Sequence, residues 1–277
     1  MRIVLSLFFI VCIVLSSWWL WNNNETLRCV VQRHMDSGDI LTLEARYTAQ
    51  QILDTYKDEL VPDETYKVLR PQLVFYPYLL MEVKFVDEEQ QTGEGVILWS
   101  LEDGEMVLNT DSWATTHGFE DCIGANATPT DFRVIHAIAE NGGTMNRREL
   151  QMRLHVEGDV LDTWIDQVKK KYLIVGDAGD YRLHFQQPIL DVMPRTYLSQ
   201  WLVTKSYKHA TKMPAKYSRH QIYKIAKAAF GSDFTIRSDR EIFLPVYDIQ
   251  IHNPDGTILA SHWNALTGQR MTPSYLE

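Results

Sequence analysis

Two stretches of this chain echo one another. Met81-Glu-Val-Lys-Phe85 is followed by Trp99-Ser-Leu-Glu-Asp-Gly104-Glu105, and Tyr247-Asp-Ile-Gln-Ile251 by Trp263-Asn-Ala-Leu-Thr-Gly268-Gln269. Self-similarity of this kind points to one supersecondary unit built twice, the alternative being two independent meanders. At 277 residues the chain is long enough for two or three small cores. The order is therefore read as a helix-plus-sheet unit at 28–125, a different module at 126–187, a basic helical linker at 188–216 and a second unit at 217–277.

In the first unit Leu43, Tyr47, Ile52 and Tyr56 fall on one helical stripe from Thr42, which predicts a helix of about four turns. Pro62 and Pro71 break that pattern. Leu79, Met81, Val83 and Phe85 then alternate with Leu80, Glu82 and Lys84 as in a half-buried strand, and a polar loop and a second strand follow. The last unit repeats this order. Ser218 and Gln221 form a capping box, Tyr217 and Ile222 hold the staple positions, and Gly231 ends the helix. Tyr247, Ile249 and Ile251 alternate along a strand, and Asn253-Pro-Asp-Gly256 turns the chain back.

The helix 219–230, the strand 247–251, the turn Asp255-Gly256 and the terminal Thr267-Gly268 resemble the PepSY-like families, whose small domains pack one helix on an antiparallel sheet in a cystatin-like manner. The resemblance covers 217–277 and, more loosely, 43–111. The first copy departs from it, with Gly93-Glu-Gly95 where the second has Asp255-Gly256. The resemblance implies protein-binding or inhibitory roles.

Between the copies, Thr128-Pro-Thr-Asp131 opens a helix. Asn146 and Glu149 cap a second, and Asp159 and Asp162 open a third that buries Val160, Leu161, Trp164, Ile165 and Val168. Two short strands follow, at 172–175 and 181–185, joined by Gly176-Asp-Ala-Gly179. This order looks like a winged helix-turn-helix. A third helix that reads DNA must tolerate phosphates, whereas this one exposes Asp159, Asp162 and Asp166. Docking or packing suits the module better than DNA.

Residues 3–21 carry no charged side chain, the length that crosses a hydrocarbon core of roughly 30 Å. Trp18, Trp19 and Trp21 follow at the position of an interfacial belt, which favours an uncleaved anchor over a signal peptide in segment 1–24. The short basic start places the bulk of the chain outside the cytoplasm, in the periplasm or the extracellular space. There Cys29 and Cys122 either form a disulfide or remain two buried thiols. The fold class is thus α+β: an N-terminal membrane helix and two helix-plus-antiparallel-sheet units around a winged-helix-like domain.

The net charge of −9 makes nucleic acid a poor partner for the whole chain. From 192 to 232 there is no acid, while Arg195, Lys205, Lys208, Lys212, Lys216, Arg219, Lys224 and Lys227 interleave with aromatic residues. Lys205, Lys208, Lys212, Lys216, Arg219 and Lys224 are the candidate partner-binding residues, facing an acidic protein, an anionic polymer or lipid, or the chain's own acidic units. His252 and His262 are the histidines that strands best bring together, two ligands short of a zinc site. Glu102, Asp103 and Asp111 read as solvated turn carboxylates, and Trp99 and Trp263 as core residues. No catalytic, cofactor or metal set is nominated. The expectation is a non-catalytic, envelope-anchored interaction or regulatory protein. The alternatives are a membrane-tethered winged-helix transcription regulator and a cell-wall or glycan enzyme.

Overall fold

The computed structural model describes residues 39–86, 91–177, 179–185, 187–206 and 210–271. The expected anchor, Cys29 and Lys208 lie outside them. Among the described residues no helix is long and apolar enough to cross a membrane. The described residues within 40–205 and 210–271 group as one compact unit, a mixed α+β assembly around a large curled sheet.

In chain order it begins with strand β1 (Asp39–Leu43), helices α1 (Ala49–Thr55) and α2 (Lys57–Leu60), and strands β2 (Lys67–Val68), β3 (Gln72–Val86), β4 (Thr92–Ser100), β5 (Met106–Asn109) and β6 (Ala114–Thr115). The middle stretch holds α3 (Phe119–Gly124), α4 (Pro129–Glu140), β7 (Thr144–Asn146), α5 (Arg147–Leu154), α6 (Gly158–Lys170), β8 (Ile174–Asp177) and β9 (Asp180–Leu183). The stretch expected as a helical linker forms strands instead, β10 (Leu202–Ser206) and β11 (Thr211–Lys212), because the sheet edges recruit it, and α7 (Arg219–Phe230), β12 (Thr235–His252), β13 (Ile258–Asn264) and β14 (Arg270–Met271) follow.

The two echoing stretches do not build two sheets; they meet in one. β3 and β12 pair antiparallel from Thr235↔Lys84 to Pro245↔Phe75, and β2 carries the ladder on to Lys67↔His252. Tyr76 opposite Leu244 lies near the midpoint of this joint ladder. The physical reason is in β3 itself. Its run from Val74 to Met81 is buried on both faces, so it needs partners on both edges and apolar cover on both sides. Leu79, Met81, Trp99, Ile249, Ile251 and Trp263 face the helices, whereas Tyr76, Tyr78, Leu80, Leu244 and Val246 form a separate cluster on the opposite face.

The register gives the equivalence that sequence matching placed two residues away. Trp99 opposes Leu79 on one side and Met106 on the other; Trp263 opposes Tyr247 and Arg270. Tyr247 therefore corresponds to Leu79 rather than to Met81, a shift of two that preserves the face.

Each half lends its leading strand and helix to the other half. β1 runs parallel to β12 through Thr42↔Phe243, and β11 runs parallel to β3 through Lys212↔Phe75. Tyr56, just after α1, packs on Trp263 at 4.5 Å between ring centroids, and Phe230 of α7 packs on Trp99 at 6.4 Å. The elbows that deliver the helices match atom for atom. Arg46 N and Tyr47 N both donate to Ala265 O, and Lys216 N and Tyr217 N both donate to Leu101 O. Thr48 with Gln51, and Ser218 with Gln221, close capping boxes directly after the tyrosines. Tyr47 lies against Gly268 and Tyr217 against Gly104, whose φ values of +70° and +79° are left-handed conformations that glycine adopts without steric cost. The duplicated signature is thus basic-Tyr-Ser/Thr-x-x-Gln-Ile as well as Trp-x4-Gly, and the two motifs meet across the halves.

The four-turn helix expected from Thr42 is replaced by a strand and a short helix. Leu43 is buried against the helix-free face, Glu44 N donates to Trp201 O, and the capping box at Thr48 allows the helix to start only at Ala49. In the middle stretch the expected caps at Thr128 and Asn146 form, and β7-β9-β8 make a separate three-stranded sheet. Val160, expected inside, is exposed, and the strand expected from Tyr172 starts at Ile174. Phe132, Ile135 and Leu161 share a core with Trp99, Phe119 and Ile225, so this stretch packs on α7 and the sheet as one body.

Candidate functional site

The helix-free face of the sheet is covered by the segment that leads into β10. Leu198 and Leu202 pack on its cluster, and the residues just before each, Tyr197 and Trp201, are 57% and 78% exposed. Thr196 clamps this segment. Its hydroxyl accepts from Leu98 N at 2.8 Å and donates to Val107 O at 2.5 Å, and its own N donates to Val96 O. Tyr197 N donates to Leu108 O, and Thr110 N to Tyr197 O. Two aromatic side chains are therefore held outward on a fixed backbone.

Asp111 supplies the second clamp. Its Oδ1 accepts from Ser199 Oγ at 2.6 Å, Gln200 Nε2 at 2.9 Å and Arg46 Nη1 at 3.3 Å. One carboxylate thus ties together the first elbow, the turn after β5 and the segment before β10. The Ser199 hydroxyl, then Gln200 and Arg46, hold Asp111 below the usual aspartate value. Sequence reading took Asp111 for a solvated turn residue, because its partners lie 65 to 89 positions away. Beside it, Glu44, Ala45, Arg46, Gln200 and Trp201 line a recess of about 80 Å³.

The second elbow has the corresponding ion pair without the aromatic display. Lys216 Nζ donates to Glu120 Oε1 at 2.6 Å, and Tyr217 OH donates to the same oxygen at 3.2 Å. Beneath it Glu105, 6% exposed, accepts from Thr116 Oγ1, Gly118 N and Glu120 N. Burial pushes Glu105 and Asp103 above their ordinary values. Every Glu105 contact ties the chain to itself, which makes the residue a brace for α3.

The sequence-predicted basic residues are mostly engaged within the chain. Arg219 reaches Asp239 at 2.9 Å and Glu241 at 3.6 Å, Lys224 donates to Asn126 Oδ1 at 2.6 Å, and Lys212 lies 5.1 Å over the Phe243 ring. Lys216 is bound as described, and Lys205 is exposed on β10. These residues are distributed over β10, β11, the second elbow and α7. Cys122 is a buried free thiol, its ionisation pushed up by burial. His262 opposes Asp248 across the ladder, and among the described residues no group of three or more ligating side chains could hold a metal ion. Trp99 and Trp263 are fully buried.

Comparison with known proteins finds no matching family model, no matching curated protein and no matching solved structure.

Proposed function

We propose that this chain is a non-catalytic interaction or regulatory protein, tethered to a membrane by residues 3–21 with its bulk outside the cytoplasm, and that it docks a protein through the face carrying Tyr197 and Trp201. The observation that carries this reading is the clamped presentation of the two rings. Exposed aromatic residues on a rigid backbone are the side chains that anchor protein interfaces, because little freedom is lost when they are covered. Lys205, four residues beyond Trp201 on β10, adds a cation to the same segment. In this reading the PepSY-like units form the scaffold. The winged-helix-like stretch acts as a packing module, supported by its shared core with α7 and by the exposed Asp162 that pairs with Arg147 at 2.7 Å on the helix that would have to approach DNA.

The test is site-specific photocrosslinking of the full chain in its native membrane, with the crosslinking amino acid at 197, 201 or the exposed α1 position Gln50. Discrete adducts from 197 and 201, absent at 50, are expected. A reporter fused after Glu277 is expected to work only outside the cytoplasm. Equal labelling at all three positions overturns the docking face, and cytoplasmic reporter activity overturns the orientation.

A further inference from the structure

The recess beside Trp201 is too small for a metabolite. At about 80 Å³ it falls well below the several hundred Å³ of a small-molecule site and suits one side-chain head group. The chemistry of its lining selects which one.

Gln200 is 8% exposed, and its amide orientation is set by its neighbours. Nε2 donates to Asp111 Oδ1 at 2.9 Å and to Thr110 O at 3.4 Å, both pure acceptors, so a flipped amide would turn oxygen toward oxygen. That leaves Oε1, buried and without a donor among the described residues. A buried acceptor without a donor is costly, and such groups mark places where something else supplies the hydrogen bond.

Charge narrows the choice further. Arg46 lines the recess, but its guanidinium is matched by Asp111, so the lining charge with no ion-pair partner among the described residues is the carboxylate of Glu44. Trp201, largely exposed, also lines the recess, and an indole ring face attracts a cation. An anion would meet Glu44 and the lone pairs of Gln200, and an apolar group would leave Oε1 unpaired. A planar cation with several N–H donors satisfies all three groups at once.

Resting on the reading of this face as a docking surface, we propose that the Glu44–Gln200–Trp201 recess binds an arginine side chain presented by the partner protein. The guanidinium lies against the Trp201 ring, pairs with Glu44 and donates to Gln200 Oε1.

The experiment uses the full chain in detergent micelles, labelled with 5-fluorotryptophan. Fluorine NMR follows its tryptophan signals during titration with N-acetyl-arginine amide, and the signal of Trp201 is identified by its loss in Trp201→Phe. The expected result is a saturable shift of the Trp201 signal in the millimolar range, reduced by salt and not produced by the neutral isostere N-acetyl-citrulline amide. Glu44→Gln, an exposed change that leaves the fold intact, weakens the response by up to about fivefold, the ceiling for an exposed ion pair. No shift, an equal shift with the citrulline amide, or an unchanged response in Glu44→Gln overturns the proposal. Crosslinks from position 201 without an arginine response discard this inference alone; loss of both discards the docking face as well.

Discussion

Helices α1 and α7 hold equivalent places on the two halves of one sheet, yet they are buried very differently. α1 is seven residues long and buries Ile52, whereas α7 is twelve residues long and buries Ile222, Ile225, Ala226 and Ala228. The elbows, capping boxes and tryptophan contacts are the same. What differs is the cover: α7 shares a core with α3 and α4, whereas the outward side of α1 and α2 carries Gln50, Asp54, Asp58 and Glu59 in solvent. One duplicated joint thus serves two ends. Where the inserted stretch packs on it, the joint is part of the main core; where solvent faces it, Asp111 and the Trp201 segment can be displayed beside it.

The two buried tryptophans should break the equivalence most clearly. Trp99→Ala and Trp263→Ala both open large cavities, each costing ~3–5 kcal/mol. Trp99 lies in the larger cluster with Phe119 and Phe230, so its loss is expected near the top of that range and to lower the whole unfolding transition in urea. Trp263 is covered by α1 and α2, so its loss should also release amide exchange in those helices first. Uniform exchange changes in Trp263→Ala would show the two ends to be energetically alike.

The glycines beneath the elbow tyrosines sharpen the comparison at the next scale. A Cβ at Gly104 would meet Ile123 Cδ1 at 2.8 Å and Tyr217 Cε2 at 2.9 Å, both on buried residues. At Gly268 it would meet Tyr47 at 3.0 Å, a ring that is 41% exposed and free to move outward. Both sites carry the cost of a left-handed residue, about 1–2 kcal/mol, and only Gly104 adds overpacking of about 1–3 kcal/mol. Thermal unfolding should therefore rank Gly104→Ala well below Gly268→Ala, and equal losses would contradict the difference in cover.

The elbow ion pairs give the smallest effect, and they do so at opposite ends of the pH range. Asp111 has a folded value below its unfolded one, so its contribution is present above about pH 4 and is lost as pH falls through the folded value. Lys216 has a raised folded value, chiefly from its hydrogen bond to Glu120, so its contribution is present below about pH 10 and is lost as pH rises through the folded value. The stability gap between the native chain and Asp111→Asn should accordingly close in acid, and that for Lys216→Met should close in alkali. Denaturant midpoints across pH check both, and a gap that stays constant with pH removes the ionic account.

Local chemistry was legible wherever its cause was local. The capping boxes at Thr128, Asn146 and Ser218, the turn at Gly256 and the alternation at 81–85 of β3 and 247–251 of β12 all rest on residues within a few positions of one another. The first elbow was missed for a local reason too. Leu43 and Tyr47 mimic a helical stripe with Ile52 and Tyr56, and that apolar periodicity masked the Thr48–Gln51 box which delays the helix. The candidate site was less legible, because Glu44, Asp111 and Gln200 come from three segments that no periodicity connects.

The sequence by itself determined that two stretches echo one another, where most of the helices are capped and which strand faces are apolar, since these follow from side-chain type and short-range spacing. Only the tertiary structure decided that the two copies share one sheet and exchange their leading elements. A strand pattern states that a face must be buried, but not by which copy. Once β3 and β12 each needed an apolar neighbour along both edges, pairing with each other met that need, and the exchanged helices followed the tryptophans they cover.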